Sequence, residues 1–257
     1  MSFGICLLSV IPCRKEPSST SEMVTQLLFG ETYNVEERQE DWIKITTSFD
    51  NYPCWISFKQ HTKLDDAEYK KLQVTNLSSE LVQIMNHANQ NLVFPVTIGA
   101  SLPHFKDNSF SIREHSFYFE GQTSDVSKQK SIKEIKETAY LFLNAPYLWG
   151  GRSPFGIDCS GFTQLVFKLN GYKLPRDASQ QVHLGKALSF VEEAEPGDLA
   201  FFDNEAGNIV HVGIVLENQE IIHASGSVRI DKFDHYGIFH SENKKYSHVL
   251  RVIKKII

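Results

Sequence analysis

Short apolar segments separated by polar turns fill the first quarter of the chain. Four of these segments have the strand-like pattern of apolar and polar residues, and their sequences are FGICLLSVIPC, TQLLFGETYNVEERQ, WIKITTS and PCWISFK. Short strands joined by polar turns are typical of small barrels. The pattern therefore predicts a small all-β barrel over residues 1–62.

The next part of the chain repeats this pattern after one helix. The stretch LDDAEYKKLQVT, which starts at Leu64, reads as helical, and strand-like pieces then continue to about Asp125. We predict a second small barrel over residues 63–126. No motif in this part indicates a specific role, and a spacer is an open alternative.

Beyond residue 126 the apolar residues recur at helical spacing before strands return. Ser131 and Glu134 match a capping box, which predicts a helix at this point. The apolar stripe of that helix consists of Ile132, Ile135, Ala139, Leu141 and Phe142. Alternating strands follow from GDLAFFD to the C-terminus, and helices packed on an antiparallel sheet form an α+β domain. The predicted fold is multidomain, with two small barrels followed by an α+β domain over residues 127–257.

Composition and charge disfavour some classes of function. The formal charge of the 257 residues is −5 and no predicted face is basic, which disfavours nucleic-acid binding. No apolar run approaches the roughly 18 residues that a membrane-spanning helix needs. The N-terminal GICLLSVIPC resembles a short signal sequence, but its first basic residue, Arg14, follows the apolar run. We therefore expect a strand there and an unprocessed N-terminus.

The four cysteines do not suggest a structural role. Cys6, Cys13, Cys54 and Cys159 include no CxxC pair, so the sequence predicts neither a zinc site nor a disulfide framework. A reducing compartment fits this pattern best.

Cys159 is the strongest candidate for chemistry. It follows the glycine-rich loop PYLWGGRSPFGID and precedes apolar residues at helical spacing, so we expect it in the first turn of a helix. Free N–H groups and the helix dipole there favour a thiolate. A buried packing cysteine is the alternative. A phosphate-binding loop is disfavoured because the GxxxxGK[ST] lysine is missing.

Two histidines downstream are candidate partners of this thiol. His211 and His223 lie in strand-like segments joined by a short turn, so they can be neighbours on adjacent strands. In that geometry His211 takes the thiol proton and His223 holds the other ring nitrogen of His211. Both could instead be ordinary sheet histidines, and a zinc site with Cys159 is a further alternative. We assign no role to His183, His235, His240 and His248.

Six motifs in this region resemble those of one enzyme family. PYLWGG, DCSGF, LPRDASQQ, PGDLAFF, HVGIVL and IIHAS look like the NlpC family of papain-like cysteine peptidases, which cut bacterial cell-wall peptides. The resemblance covers about residues 130–257. It implies Cys159 as nucleophile, His211 as general base and His223 as the orienting third member, with the main-chain N–H of Cys159 helping to stabilise the oxyanion.

The chain as a whole resembles a subgroup with two bacterial SH3-like barrels before the peptidase domain. That resemblance implies cleavage of the γ-D-glutamyl bond to a diamino acid in peptidoglycan peptides that have a free N-terminal L-alanine. It implies that substrate-binding residues surround the free amine. These are Asp158, Ser160, Ser179, Glu31 and Tyr52. Ser160 could equally cap the helix and Ser179 could form a turn, and we expect Trp42 and Trp55 to be core residues.

Further expectations complete this interpretation. We expect no cofactor and no metal, peptidoglycan-derived peptides as partners, no nucleic acid, no membrane span and a monomer. We expect the protein in the cytoplasm, or in the periplasm or on the cell surface if the N-terminus is processed. A papain-like amidase or acyltransferase, and a non-catalytic cell-wall binding protein, are the competing functions. The choice between diaminopimelate and lysine is open.

Overall fold

The structure is a computed structural model that describes residues 2–241 and 243–257. Its N-terminal part is one antiparallel sheet of seven strands in the order β3-β2-β6-β5-β4-β1-β7, which we call the N-terminal sheet. The strands are β1 (Ser2–Ile5), β2 (Val10–Arg14), β3 (Met23–Leu28), β4 (Thr32–Gln39), β5 (Trp42–Thr47), β6 (Pro53–Ser57) and β7 (Thr62–Leu64).

Strict alternation of side chains builds the core of the N-terminal sheet. Along β5, Ile43, Ile45 and Thr47 are buried while the residues between them are not. The core also contains Cys6, Cys13 and Cys54. Trp42 and Trp55 are only half-buried and lie outside this core, contrary to our expectation.

The middle segment has one short helix and seven strands in two sheets. The sheet orders are β10-β9-β13-β12 and β11-β8-β14. The elements are α1 (Asp66–Lys71), β8 (Val74–Ser78), β9 (Val82–His87), β10 (Leu92–Thr97), β11 (Ser101–Pro103), β12 (Ser109–Ile112), β13 (His115–Tyr118) and β14 (Thr123–Asp125). The helix is shorter than predicted because residues from Val74 onward pair with β11 and β14.

The N-terminal sheet and the middle segment share a core. Phe3, Ile5 and Phe29 from the former cluster with aromatic residues of the latter. The Phe29 ring makes edge-on contact with the Phe117 ring, with ring centroids 5.3 Å apart. The two parts therefore pack against each other as one body.

The C-terminal part combines three helices with an antiparallel sheet. The sheet order is β17-β23-β18-β19-β20-β21-β22, and because β22 also pairs with β23 the sheet closes on itself. The elements are α2 (Ile132–Leu141), β15 (Arg152–Ser153), β16 (Gly156–Ile157), α3 (Cys159–Leu169), α4 (Ala178–Gln181), β17 (Lys186–Ala187), β18 (Leu199–Asp203), β19 (Ile209–Val215), β20 (Glu220–Ser225), β21 (Ser227–Asp234), β22 (Gly237–His240) and β23 (Lys245–Lys255).

Helix α3 is buried along its whole length. Every residue from Cys159 to Leu169 is buried, and the helix packs against α2 and against strands β19 and β20. The capping box of α2 is present as predicted, with Ser131 and Glu134 bonding each other's backbone N–H. Leu141 is exposed, however, and does not belong to the apolar stripe. Within the described residues, no helix is long and apolar enough to cross a membrane.

Candidate active site

Cys159 is the first residue of helix α3, as predicted. Asp158 is the N-cap of this helix, and its Oδ1 accepts the backbone N–H of Gly161 at 2.7 Å. Its Oδ2 accepts the N–H of Gly150 at 2.8 Å, which ties the glycine-rich loop to the start of the helix. The cap and the loop together fix the position of the thiol.

The surroundings of Cys159 do not favour a resting thiolate, contrary to our expectation. Burial raises the pKa of the thiol to about 12, and the nearby charge of Asp158 acts in the same direction. Hydrogen bonds from the backbone of Val212 and Ser160 oppose this shift but do not outweigh it. The thiol therefore needs a base to become a nucleophile.

The two predicted histidines contact each other, and one of them adjoins a residue that contacts the thiol. His211 precedes Val212, whose backbone contacts the thiol, on strand β19. The Nε2 atom of His211 lies 2.8 Å from Nδ1 of His223 on the neighbouring strand β20. The Nε2 atom of His223 lies 3.0 Å from a carboxylate oxygen of Asp231, which the sequence did not indicate.

Burial keeps both imidazoles neutral. It lowers the pKa of His211 well below the ordinary 6.5, with smaller contributions in the same direction from His223 and His248. It also lowers the pKa of His223, although Asp231 opposes that shift. Because His211 is uncharged near pH 7, it can accept a proton.

His248, to which we assigned no role, stacks on His211. The ring centroids are 4.1 Å apart with an interplanar angle of 23°. Burial lowers the pKa of His248 to about 4, so this ring adds no positive charge near pH 7. His248 reaches the site because strand β23 pairs with both β18 and β22, a long-range pairing that local sequence patterns do not reveal.

A cleft of about 690 Å³ opens at Cys159. Four of the predicted substrate-binding residues line it, namely Tyr52, Asp158, Ser160 and Ser179. Glu22 and Asp177 also line it, and the sequence reasoning missed both. Asp177 directly follows the LPR segment of a quoted motif and was the easier of the two to find.

The carboxylates of Asp177 and Glu22 form hydrogen bonds with neighbouring side chains. Asp177 and the hydroxyl of Tyr52 form a hydrogen bond, and burial raises the pKa of Asp177. The Glu22 carboxylate accepts the indole N–H of Trp149 at 2.7 Å and lies 3.3 Å from the Lys15 ammonium. The N-terminal sheet, through Glu22 and Tyr52, thus forms one wall of the cleft.

Glu31 is not in the cleft, contrary to our expectation. Only 6% of this residue is exposed, and its carboxylate binds Arg152 at 2.9 Å and Lys168 at 2.7 Å. Both cations belong to the C-terminal part of the chain. Glu31 therefore joins two parts of the molecule and does not line the cleft at Cys159.

Asp158 and Ser160 are held by a buried arginine. The guanidinium of Arg176 donates two hydrogen bonds to Asp158, at 2.6 and 3.0 Å, and one to Ser160 Oγ at 2.9 Å. Its Nε donates to Thr25 Oγ1 of the N-terminal sheet at 3.0 Å. The charge of Asp158 is therefore already paired. Within residues 2–241 and 243–257, no group of three or more His, Cys, Asp or Glu residues is arranged to hold a metal.

Comparison with known proteins follows this division of the chain. The NlpC/P60 family matches residues 144–249, a range that includes Cys159, His211 and His223. The bacterial dipeptidyl-peptidase Sh3 domain matches residues 13–60, which lie in the N-terminal sheet.

Related proteins resemble most of the chain. A γ-D-glutamyl-L-lysine dipeptidyl-peptidase of Bacillus subtilis is 32% identical over 78% of this chain and 71% of its own length. A protein of the same name from Bacillus cereus is 26% identical over 82% of this chain and 70% of its own length. The crystal structure of an NlpC/P60 family protein from Bacillus cereus covers 99% of both chains with a TM-score of 0.83 at 21% identity, which supports the fold. The chain belongs to the NlpC/P60 family and has a bacterial dipeptidyl-peptidase SH3 domain ahead of its NlpC/P60 domain.

Proposed function

We propose that this protein is a cysteine peptidase that hydrolyses the γ-D-glutamyl bond to a diamino acid in peptidoglycan stem peptides, and that it releases L-Ala-γ-D-Glu from peptides with a free N-terminal L-alanine. One observation carries this proposal: Cys159 opens into a cleft that is also lined by three carboxylates, Glu22 next to strand β3 and Asp158 and Asp177 from the C-terminal part. The names of the two Bacillus relatives support the same bond.

The proposed reaction begins with proton transfer from the thiol. The Nε2 atom of His211 is engaged by His223, so its free Nδ1 takes the proton of Cys159. The sulfur attacks the γ-carbonyl carbon of the D-glutamyl residue, and the carbonyl electron pair moves onto oxygen. The tetrahedral intermediate collapses when His211 gives its proton to the leaving amine of the diamino acid.

Water completes the reaction. His211 takes a proton from a water molecule, whose oxygen attacks the thioester carbon. The C–S bond then breaks, the product carboxyl forms and the thiol regains its proton. We propose that the backbone N–H of Cys159 stabilises the oxyanion in both halves of the reaction, which its position at the start of α3 supports.

The carboxylates of Glu22 and Asp177 suit a free ammonium group. A substrate ammonium would give Asp177, whose pKa is raised by burial, a compensating positive charge. The hydroxyl of Tyr52 adds an oxygen acceptor beside it. Acylation of the amine would remove the charge and place extra atoms against the wall formed by the N-terminal sheet.

Four further points belong to the same proposal. We assign the middle segment as a second SH3-like barrel and the C-terminal part as a papain-like α+β domain. We place the protein in the cytoplasm, where it would act on peptides freed from glycan, and this fits its four free cysteines. We propose that it acts as a monomer, because residues of a single chain complete the cleft.

Product analysis tests the proposal. The purified protein is incubated with L-Ala-γ-D-Glu-L-Lys and with L-Ala-γ-D-Glu-meso-diaminopimelate, and products are identified by mass. We expect release of L-Ala-γ-D-Glu from at least one peptide, with no turnover in Cys159→Ala. Cys6→Ala, which changes a buried thiol that does not line the cleft, is the control and should retain activity. Absence of cleavage of both peptides by a folded protein would reject the proposal.

A further inference from the structure

A buried carboxylate extends the hydrogen-bonded pair of His211 and His223. Asp231 lies on strand β21, and its side chain is only 3% exposed. The strand register pairs Ile221 with Asp231 and His223 with Arg229, which puts Asp231 diagonally across from His223. The result is a continuous row from His211 through His223 to Asp231, and it starts next to Val212, whose backbone contacts the Cys159 thiol.

The ionisation state of Asp231 is fixed by its partners. Burial alone would raise its pKa, but hydrogen bonds from His223 and Arg229 outweigh burial and lower the pKa to about 2. Arg229 donates from Nε to Oδ2 at 2.7 Å and from its terminal nitrogen to Oδ1 at 2.9 Å. Asp231 is therefore a carboxylate at neutral pH and can only accept hydrogen bonds.

An acceptor at this position determines where the histidine protons are. Neutral His223 has one ring proton, and the carboxylate requires it on Nε2. The Nδ1 atom of His223 is then an acceptor, so the hydrogen bond at 2.8 Å requires the proton of His211 on Nε2. The Nδ1 atom of His211 is left with a free lone pair, which is the state that a base for Cys159 needs.

We propose that Asp231 is a positioning residue that selects the reactive tautomer of His211 through His223, and that Arg229 orients Asp231. This inference rests on the proposed role of His211 as the base. Asp231 does not touch the thiol and acts through two imidazoles. Its negative charge also stabilises the imidazolium that forms when His211 takes the proton.

Other groups around His223 do not provide this acceptor. His248 faces it from strand β23, and burial lowers the pKa of His248 to about 4. His240 on β22 and Arg229 on β21 both lower the pKa of His223 through their charge interactions. Of the groups within residues 2–241 and 243–257 that the structure shows to act on His223, only Asp231 favours the proton on Nε2.

Replacement of Asp231 by asparagine should remove the charge that stabilises the imidazolium, and in one of the two amide orientations it should also invert the proton arrangement. The amide nitrogen must take the place of Oδ1 or Oδ2, and both oxygens accept hydrogen bonds from Arg229. With the amide nitrogen at the Oδ2 position, His223 must accept on Nε2 and donate from Nδ1. His211 is then protonated on the nitrogen that should receive the thiol proton.

The first measurement needs no substrate and no variant. Long-range ¹H–¹⁵N spectra of the wild-type protein with ¹⁵N-labelled histidine, at pH 7.5, report which ring nitrogens are protonated. We expect Nε2–H and a bare Nδ1 in both His211 and His223. A proton on Nδ1 of His223 would overturn the proposal.

The second measurement separates positioning from a merely structural role. The rate of alkylation of Cys159 by iodoacetamide is followed by peptide mass mapping between pH 6 and 10. Loss of the carboxylate that fixes a catalytic histidine costs serine proteases roughly 10⁴ in kcat. Because Asp231 acts one ring further away, we expect Asp231→Asn to lower the rate at pH 6.5 roughly 10- to 100-fold.

The pH dependence and matched variants decide the outcome. The deficit of Asp231→Asn should shrink toward pH 10, because hydroxide can then take the thiol proton. Asp234→Asn, on the same strand, should stay within about twofold of wild type. In the double variant Arg229→Gln/Asp231→Asn, the glutamine oxygen can accept the N–H of the asparagine amide. The asparagine oxygen can then face His223, and we expect part of the alkylation rate to be restored. An equal deficit at every pH, or no deficit, would overturn the proposal.

These outcomes are independent of the peptide substrate. If no peptide is cleaved while the spectra and the alkylation profile are as expected, the proposed function fails and the role of Asp231 stands. If the peptides are cleaved and Asp231→Asn alkylates as wild type does, the role of Asp231 fails and the proposed function stands.

Discussion

The buried His211 determines how activity should respond to acid. Its pKa is lowered well below 6.5 by burial, and its proposed role as a base requires the neutral form. Activity is therefore present above the pKa of His211 and is lost as the pH falls through it. We expect kcat/KM to be nearly constant from pH 8 to about 6.5 and to fall only in more acidic solution. An acid limb with its midpoint above 6.5 would contradict the assignment of His211.

Glu22 should contribute to substrate binding through its charge. Glu22→Gln keeps the size of the side chain but removes the charge that would meet a substrate ammonium. We expect KM for a free-amine tripeptide to rise roughly tenfold, the effect of about 1.4 kcal/mol, with a smaller change in kcat. The matched control is Glu37→Gln, an exposed glutamate on β4 of the same sheet. An unchanged KM in Glu22→Gln would exclude this contact.

Single residues could be predicted from the sequence where a local pattern determines their position. Cys159 was predicted at a helix start, and His211 and His223 on adjacent strands, and the structure places them so. The sequence predicted Glu31 in the cleft, but the structure has Glu22 there instead. The two glutamates lie on either side of strand β3. Sequence does not show which of the two faces the cleft, because that depends on how the sheet meets α3.

At the scale of elements, the glycine-rich loop fits closely against strand β3. Gly150 has a φ of +76°, and an added Cβ would lie 2.2 Å from the carbonyl oxygen of Met23, the neighbour of Glu22. Gly207 has a similar φ of +78° but nothing within 4 Å of an added Cβ. A comparison of alanine substitutions at these two glycines therefore separates the cost of a positive φ from the cost of close contact.

Alanine substitutions at these glycines give a matched test. Gly207→Ala should cost about 1 kcal/mol, from the positive φ alone. Gly150→Ala should cost roughly 1–3 kcal/mol more because strand β3 must move away from the loop. It should also reduce kcat/KM, since Glu22 moves with the strand. Urea denaturation measures the free energy of unfolding of the two variants. Equal losses of stability in Gly150→Ala and Gly207→Ala would refute the close contact between the loop and strand β3.

Local patterns predicted most elements but not their long-range pairings. The capping box of α2, the helix after Cys159 and the alternating strands all depend on neighbouring residues. The closure of the C-terminal sheet by β22 and β23 depends on contacts between distant strands, and it is this closure that brings His248 onto His211. The position of Asp231 beside His223 likewise follows from strand register.

At the scale of the whole molecule, a buried ionic cluster joins the N-terminal sheet to the C-terminal part. Glu31 binds Arg152 and Lys168, and these two cations lower its pKa from 4.5 to about 2 although burial opposes the shift. A carboxyl with a lowered pKa in the folded state stabilises the fold above its unfolded value. This stabilisation is lost as the pH falls from about 4.5 toward 2.

Glu31→Gln should therefore destabilise the protein in a pH-dependent way. It leaves two buried cations without their carboxylate, and we expect a loss of roughly 3–5 kcal/mol in the free energy of unfolding at pH 7. The difference from wild type should shrink as the pH falls below about 4.5. Glu37→Gln is again the control. A loss that is independent of pH would contradict the ionic role of Glu31.

The division of the chain into a sheet-rich N-terminal region and a mixed C-terminal part could be read from the change in apolar spacing. The sequence could not show that the N-terminal sheet and the middle segment share one core, since Phe29 and Phe117 meet only in three dimensions. The sequence could not show the cleft either, because its residues come from the N-terminal and C-terminal parts of the chain and meet only in the folded protein.

Recognition of a free substrate amine predicts a large difference between two peptides that differ only in N-acetylation. The kcat/KM for L-Ala-γ-D-Glu-L-Lys, or for the diaminopimelate peptide if that is the better substrate, is measured beside that of its N-acetylated form. We expect the acetylated peptide to be cleaved at least 100-fold more slowly, because it lacks the charge that Glu22 and Asp177 would bind and meets the wall of the cleft. Equal kcat/KM values for the two peptides would contradict this account of the cleft.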